Sequence, residues 1–204
     1  AAQSITNNGL SSTTSTSKFY GRSVTCTNGQ DMRVSYDSSM ALGSTFTVEA
    51  WVNPAGPGNQ KTFLTYGINA TNGYVIMIGT GGATFRSNGT SDLGFAASIT
   101  GWNHLAFVAN SAGTKRAIYL NGILVASDST TPAATGSYTT YIGSSSVNNS
   151  SFRFTGQFQD VRIYKGLAKY TSNFTPPSAT QDVTIAAGND SLVDVPTNGT
   201  ETDT

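Results

Sequence analysis

The strongest sequence signal for the fold lies in residues 152–177, FRFTGQFQDVRIYKGLAKYTSNFTPP. Apolar and polar residues alternate between Phe154 and Tyr164. Because successive side chains of a strand point to opposite faces, this alternation predicts a strand with one face against a core. The two prolines at the end of the stretch can neither continue a helix nor pair inside a central strand. We therefore expect the sheet to end there.

The same kind of pattern recurs through the preceding residues. Residues 45–52 (TFTVEAWV) and 102–110 (WNHLAFVAN) are apolar on both alternating faces, which predicts central strands that are covered on both sides. Asn121 and Gly122 separate two further β runs and predict a two-residue hairpin turn. About a dozen short strands in close succession predict an all-β fold, a two-sheet antiparallel β-sandwich of the jelly-roll type.

The chain length of 204 residues favours one domain with a sizeable core. We place the sandwich at residues 18–177. Residues 1–17 are small and polar and are expected to form an N-terminal linker or an edge segment. Residues 178–204 carry five acidic residues and no basic one, and are expected to form a C-terminal linker or tail.

Composition excludes several classes of partner. Charged residues make up 11% of the chain, against about 25% in an average soluble domain. Eleven basic residues balance eleven acidic ones, so the sequence predicts no nucleic-acid partner. No apolar run approaches the roughly 18 residues of a membrane helix, which predicts no membrane insertion. Cys26 is the only cysteine, so neither an intrachain disulfide nor a cysteine-based zinc site can form.

A resemblance to a known family rests on six segments in a fixed order. They are FTVEAWV, GYVIMIG, GWNHLAFV, AIYLNGILVAS, YIG and FTGQFQDVRIYKGLA. Together they resemble laminin G-like domains of the concanavalin A-like superfamily over residues 18–177. The ending DVRIYKGLAKYTSNFTPP is similar to versions in structural proteins of tailed phages. The resemblance implies a jelly roll, usually without catalysis, that binds glycans or proteins or decorates a surface.

Glycoside hydrolysis is the first chemistry to consider, because it needs two carboxyl groups flanking the scissile bond. The β-glucanases that share this fold place their acids in an E-x-D-x-x-E arrangement on one strand, and no such spacing occurs here. Glu49 has Thr47 and Trp51 as its same-face neighbours. We therefore expect no enzymatic activity. His104, the single histidine, could serve as a general base, but we expect its ring to pack beside Trp102.

Calcium is the more plausible inorganic partner, because it takes oxygen ligands from carboxylates and carbonyls. The resemblance implies a structural calcium at Asp160, where related domains often place a carboxylate. Asp31, in the turn that begins at residue 28, is a candidate second acid. The alternative is a solvated Asp160 without a metal.

A glycan-binding surface would combine aromatic rings with amides and hydroxyls. The candidate tyrosines and the asparagines of nearby loops are Tyr66, Tyr74, Tyr138, Tyr141, Asn69, Asn72, Asn148 and Asn149. We predict a non-catalytic structural or adhesive module of a phage virion, at the virion surface or otherwise extracellular. It would contact neighbouring subunits or host polysaccharide within an oligomeric assembly. The alternatives are a carbohydrate-binding module of a secreted multidomain protein and, less favoured, a glycoside hydrolase.

Overall fold

Fourteen β-strands form the regular structure of the described residues. The structure is a computed structural model that describes residues 4–27, 29–38, 41–56, 61–67, 73–87, 91–110, 113–132, 134–144 and 153–178. The strands are β1 (Ile5–Asn8), β2 (Ser11–Thr13), β3 (Ser23–Cys26), β4 (Asp31–Val34), β5 (Phe46–Pro54), β6 (Lys61–Tyr66), β7 (Tyr74–Gly79), β8 (Gly82–Ser87), β9 (Ser91–Ala96), β10 (Asn103–Ala109), β11 (Arg116–Leu120), β12 (Ile123–Asp128), β13 (Thr140–Ile142) and β14 (Gly156–Lys165).

Two antiparallel sheets of seven strands each make up the sandwich. Sheet A has the order β1-β4-β13-β6-β7-β8-β9, and sheet B has the order β12-β11-β10-β5-β14-β3-β2. The strands predicted to be central are β5 and β10, which are neighbours in the middle of sheet B and are buried along nearly their whole length. The predicted all-β, two-sheet sandwich is therefore confirmed.

Aromatic side chains fill the space between the sheets. Phe63 of sheet A packs edge-on against Phe154 and Phe158, with ring centroids 5.2 Å and 5.6 Å away. Phe46 and Phe107 of sheet B lie similarly against Phe85, which belongs to sheet A. Such edge-to-face contacts add to the burial of the rings. The core is thus held by rings contributed from both sheets.

A β-bulge interrupts the strand that opened the sequence analysis. The pairing of β14 with β5 shifts between Gln159 and Arg162, and Asp160 adopts a φ of +49°. The bulge explains why the apolar positions change from even to odd numbers between Phe158 and Val161, although both side chains are buried. It therefore keeps a single core-facing row along a strand whose sequence alternation changes phase.

Residues 5–13 supply the outermost strand at one side of each sheet. The sequence predicts either a linker or an edge segment here, and the structure shows edge strands. β1 pairs with β4 in sheet A, and β2 pairs with β3 in sheet B. Every residue of β1 is exposed. These strands are held mainly by backbone pairing, because their side chains bury little surface. Of the predicted tail, the structure describes residue 178 alone.

A segment that follows β14, residues 167–177, lies across the outer face of sheet B, and we call it the C-terminal strap. Thr47 fixes its start by donating from Oγ1 to Leu167 O over 2.9 Å. Trp51 fixes its end by donating from Nε1 to Pro177 O over 3.2 Å. The strap therefore covers the centre of this face. Among the described residues, no helix is long and apolar enough to cross a membrane.

The predicted hairpin is present between β11 and β12. Asn121 and Gly122 have φ values of +50° and +80°, as a two-residue turn of this kind requires. Asn121 also donates through its Nδ2 to Asn103 Oδ1 and accepts at Oδ1 from the backbone N–H of His104. The turn is therefore tied to β10 as well as to its own strands.

Candidate functional site

The outer face of sheet B holds a buried carboxylate under the C-terminal strap. Glu49 is 1% exposed. Its Oε1 accepts from Tyr164 Oη at 3.0 Å and from Lys169 Nζ at 2.8 Å. Its Oε2 accepts from Tyr170 Oη at 2.6 Å and lies 3.5 Å from Nε2 of His104. The carboxylate is thus surrounded by donors from two strands and the strap.

This surrounding decides the protonation state of Glu49. Burial alone would raise the pKa of the carboxyl, but hydrogen bonding and attraction from His104 and Lys169 outweigh it and lower the pKa to about 2. For Lys169 the balance is opposite, because burial lowers its pKa more than the attraction of Glu49 raises it. Glu49 is therefore ionised at neutral pH and serves as an anchor for the strap.

His104 lies inside the same covered face. Its ring packs against Trp51, the residue directly across the ladder, at 5.4 Å, and against Phe174 of the strap at 5.8 Å. The expectation that it would pack beside Trp102 is wrong, since the cross-strand neighbour takes that place. Glu49 and His104 are each 1% exposed, and the groups that surround Glu49 are donors rather than a second acid.

The structure does not bring the two candidate calcium ligands together. Asp31 is on β4 of sheet A, where its carboxylate accepts two hydrogen bonds from Arg33, at 2.7 Å and 3.2 Å. Asp160 is in the bulge of β14 in sheet B, with its Oδ2 3.9 Å from Nη2 of Arg162. Each acid thus faces an arginine of its own strand. The two acids therefore lie in different sheets, and a calcium ion that both would hold stays a prediction.

Within the described part of the chain, no group of three or more His, Cys, Asp or Glu side chains lies close enough together to hold a metal ion. Calcium needs six to eight oxygen ligands, of which carboxylates normally supply several. Calcium at Asp160 or Asp31 therefore stays a prediction.

The outer face of sheet A carries a continuous row of side chains. The registers of neighbouring strands place Arg33, Tyr141, Thr65, Val75, Arg86 and Asp92 side by side across five ladders. At roughly 4.8 Å between strands, this outer row is about 24 Å long.

Both ends of the outer row are partly exposed and carry an arginine paired with an aspartate. Arg33 is held by Asp31 and lies 5.4 Å from the Tyr141 ring. Arg86 donates to Asp92 over 2.6 Å and 2.9 Å, and this hydrogen bonding lowers the pKa of Asp92. The paired guanidinium and carboxylate groups cancel in charge but keep free hydrogen-bonding positions. The row is therefore polar and locally neutral.

The middle of the outer row is buried. Thr65 and Val75 are at most 2% exposed, although both belong to the outer face. The Oγ1 of Thr65 has no hydrogen-bond partner among the described residues. Buried hydroxyls are normally paired, so this one marks a polar position whose partner the described chain does not supply.

The four candidate tyrosines separate into two groups. Tyr66 and Tyr74 are buried and stack on each other at 5.7 Å between centroids, so they belong to the core. Tyr138 is half-buried and packs edge-on against Tyr66. Tyr141 is half-buried on the outer row. The asparagines proposed beside them at positions 69, 72, 148 and 149 lie outside the described residues.

A family model for the concanavalin A-like lectin/glucanases superfamily matches residues 27–169. The chain belongs to this superfamily. The match spans well over half of the sequence and covers both sheets from the end of β3 into the strap. Comparison with curated protein sequences gives no match.

Several solved structures share the fold of this superfamily member. Domain 4 of AbnA, an extracellular arabinanase from Geobacillus stearothermophilus in complex with arabinotriose, is 18% identical, with a TM-score of 0.60 over 80% of this chain and 82% of that one. The binding domain of botulinum neurotoxin serotype G is 12% identical, with a TM-score of 0.59 over 85% and 44%. Domains LG4-5 of the mouse laminin alpha1 chain are 10% identical, with a TM-score of 0.56 over 69% and 40%.

The chain thus spans less than half the length of the toxin and laminin structures. At these identities the likeness shows the fold alone.

Proposed function

We propose that this protein is a non-catalytic adhesive module that binds a neutral polysaccharide at the partly exposed end of the outer row of sheet A, where Arg33 and Tyr141 lie. The observation that carries the proposal is the partly exposed Tyr141 ring, which lies 5.4 Å from the exposed Arg33 guanidinium. The C-terminal strap covers the centre of sheet B. On sheet A, half-buried Tyr141 lies beside the Arg33–Asp31 pair. The Arg86–Asp92 pair lies at the other end of the outer row.

The chemistry of the outer row suits a sugar chain. The Tyr141 ring offers an apolar surface for the C–H face of a sugar, and the exposed Arg33 guanidinium beside it offers hydrogen-bond donors for the sugar hydroxyls. Because each guanidinium already faces a carboxylate, the row has no excess positive charge for an anionic substituent. Solved structures with this fold include an arabinotriose complex of AbnA domain 4 and a structure of botulinum neurotoxin type C, whose cell entry depends on two ganglioside molecules, and both support a glycan ligand.

The setting we propose is the surface of a tailed-phage virion, where the module would contact other subunits of an oligomeric assembly and host polysaccharide. The resemblance of the segment from Asp160 to Pro177 to phage structural proteins supports this setting. Antibodies against the chain should label intact phage particles. If they label a secreted protein and no particle, the module belongs to an extracellular multidomain protein instead.

A glycan array with the full chain tests the binding activity. We expect selective binding to one class of neutral polysaccharide. Tyr141→Ala should weaken it about tenfold, the loss of one stacked aromatic contact. Tyr36→Ala removes another exposed tyrosine, outside the outer row, and should change affinity less than twofold. The absence of binding to any neutral glycan, or equal losses in both variants, would refute the proposal.

A further inference from the structure

A short exposed turn next to the strap combines two cations with two aromatic rings. Residues 18–22, KFYGR, connect the N-terminal segment to β3, and we call them the basic turn. Lys18, Tyr20 and Arg22 are exposed, and Phe19 is half-buried. Tyr20 is 41% exposed, among the most exposed large apolar side chains in the described residues. An exposed aromatic flanked by cations is a feature of binding surfaces.

The basic turn is held in shape from below by one buried side chain. Gln159 is 1% exposed. Its Oε1 accepts from the backbone N–H of Lys18 at 2.5 Å and of Phe19 at 3.1 Å. Its Nε2 donates to the carbonyls of Phe19 at 2.8 Å and Arg22 at 2.6 Å. A turn fixed by four hydrogen bonds does not have to be ordered when a ligand binds.

The backbone of the basic turn is in an unusual conformation at its tip. Tyr20 and Gly21 have successive φ values of +60° and +67°. A glycine often adopts this region, but a tyrosine rarely does, and such positions cluster at functional sites. A Cβ placed on Gly21 would meet nothing within 4 Å, so the surface beside Tyr20 is open. The fold thus keeps an aromatic ring at a strained position with open surface next to it.

The two cations of the basic turn differ from most others in the sandwich. Lys18 lies over the Trp51 ring at 4.3 Å, and within the described residues neither it nor Arg22 has a carboxylate partner. By contrast, five other cations face an acid: Arg33, Arg86, Arg116, Arg162 and Lys169. An anionic ligand is the natural counterpart of the unpaired charges.

The charge of residues 1–177 also favours an anionic ligand. All eleven basic residues lie before residue 178, together with six of the eleven acidic ones, so residues 1–177 carry a net charge of +5. The zero of the whole chain arises from the five acids of residues 178–204. The sandwich itself therefore attracts anions, in contrast to what the whole-chain balance suggested.

We infer that the basic turn is a second ligand site, which takes an acidic polysaccharide independently of the outer row. The C–H face of a sugar would rest on Tyr20, and its carboxylate or sulfate would bind Arg22 and Lys18. This assigns the chain two classes of glycan contact on different sheets. Two cations beside aromatic rings fit a sparsely charged sugar chain better than a nucleic-acid backbone, which is usually bound through more phosphate contacts.

Calorimetric titration of the full chain tests the inference. The probes are carboxymethyl dextran and dextran sulfate, both of low substitution, together with neutral dextran and a single-stranded oligonucleotide. We expect at least one acidic polysaccharide to bind more tightly than dextran and the oligonucleotide. The two acidic probes separate carboxylate from sulfate recognition. Arg22→Gln should weaken binding about tenfold, the effect of one charge-assisted hydrogen bond.

Two further variants keep the result interpretable. Tyr20→Gly removes the ring and relieves the backbone strain, so it should weaken binding about tenfold without lowering stability. Lys115→Gln removes one exposed charge elsewhere and should change affinity less than twofold. If Lys115→Gln weakens binding as much as Arg22→Gln, or if the oligonucleotide binds as well as the saccharides, the site is not an acidic-saccharide site. Tyr141→Ala should leave this binding unchanged, which separates it from the outer row.

Discussion

Replacing Glu49 by Gln is the most informative single change, because it separates a structural role of this carboxylate from a catalytic one. A pKa of about 2 instead of the ordinary 4.5 means that ionised Glu49 stabilises the fold by about 3 kcal/mol. Glutamine keeps the shape but loses the charge that holds Lys169 and the tyrosines. We therefore expect Glu49→Gln to lower the free energy of unfolding by about 3 kcal/mol at pH 7.

The pH dependence provides an internal check on this value. Because the pKa of Glu49 is lower in the folded state, its stabilisation is complete above the unfolded pKa and is lost as pH falls from 4.5 toward 2. At pH 3 less than half of this stabilisation should remain. The difference between wild type and Glu49→Gln should therefore shrink by more than half between pH 7 and pH 3. Urea unfolding at both pH values measures it.

A matched control uses an exposed acid. Asp92 pairs with Arg86 at the surface, so Asp92→Asn should cost at most about 1 kcal/mol. If Glu49→Gln is as stable as wild type at pH 7, or if its deficit does not depend on pH, the reasoning about the buried anchor is refuted. A glycan-hydrolysing activity that disappears in Glu49→Gln while the fold stays stable would instead establish catalysis.

Three further predictions concern the strap, the basic turn and calcium. Gly122→Ala should lower the free energy of unfolding by more than Gly101→Ala does. Both positions have positive φ, but a Cβ on Gly122 would overlap the carbonyl of Phe174, whereas a Cβ on Gly101 would meet nothing. An equal or smaller loss for Gly122→Ala in urea unfolding would contradict this. Gln159→Ala should destabilise the fold by about 2 to 3 kcal/mol and weaken acidic-polysaccharide binding, because four hydrogen bonds are lost. Calcium should raise the unfolding midpoint, and the rise should disappear in Asp160→Asn; equal midpoints with calcium and with chelator would refute the predicted site.

Local pattern was sufficient for most strands and for the fold class. Alternation, glycine punctuation and the Asn121–Gly122 turn depend on neighbouring residues, so they can be recognised without coordinates. The phase change between Phe158 and Val161 also signals the bulge at Asp160. By contrast, β1 and β2 have exposed side chains and no apolar run. Their sequence does not show whether they form strands, because backbone pairing leaves little trace in composition.

The candidate sites were less accessible to sequence reasoning. Tyr66 and Tyr141 look alike in sequence, but one faces the core and the other the outer row, and that choice depends on which face the opposite sheet covers. The sequence analysis does not predict a site at the basic turn. Its signal was available, since KFYGR combines cations and aromatics and the acids of residues 178–204 hide the +5 charge of the sandwich.

By itself, the sequence determined that this chain forms an antiparallel β-sandwich with a turn at Asn121–Gly122, an end to its sheet before the paired prolines and no cysteine-based metal site. Those properties follow from residue type and near-neighbour spacing. Only the tertiary structure shows that Glu49 is a buried anchor and that the strap covers one outer face. It also shows that Asp31 and Asp160 lie in different sheets, and that Gln159 supports a turn about 140 positions away. These depend on contacts between residues far apart in the chain, and only folding brings such residues together.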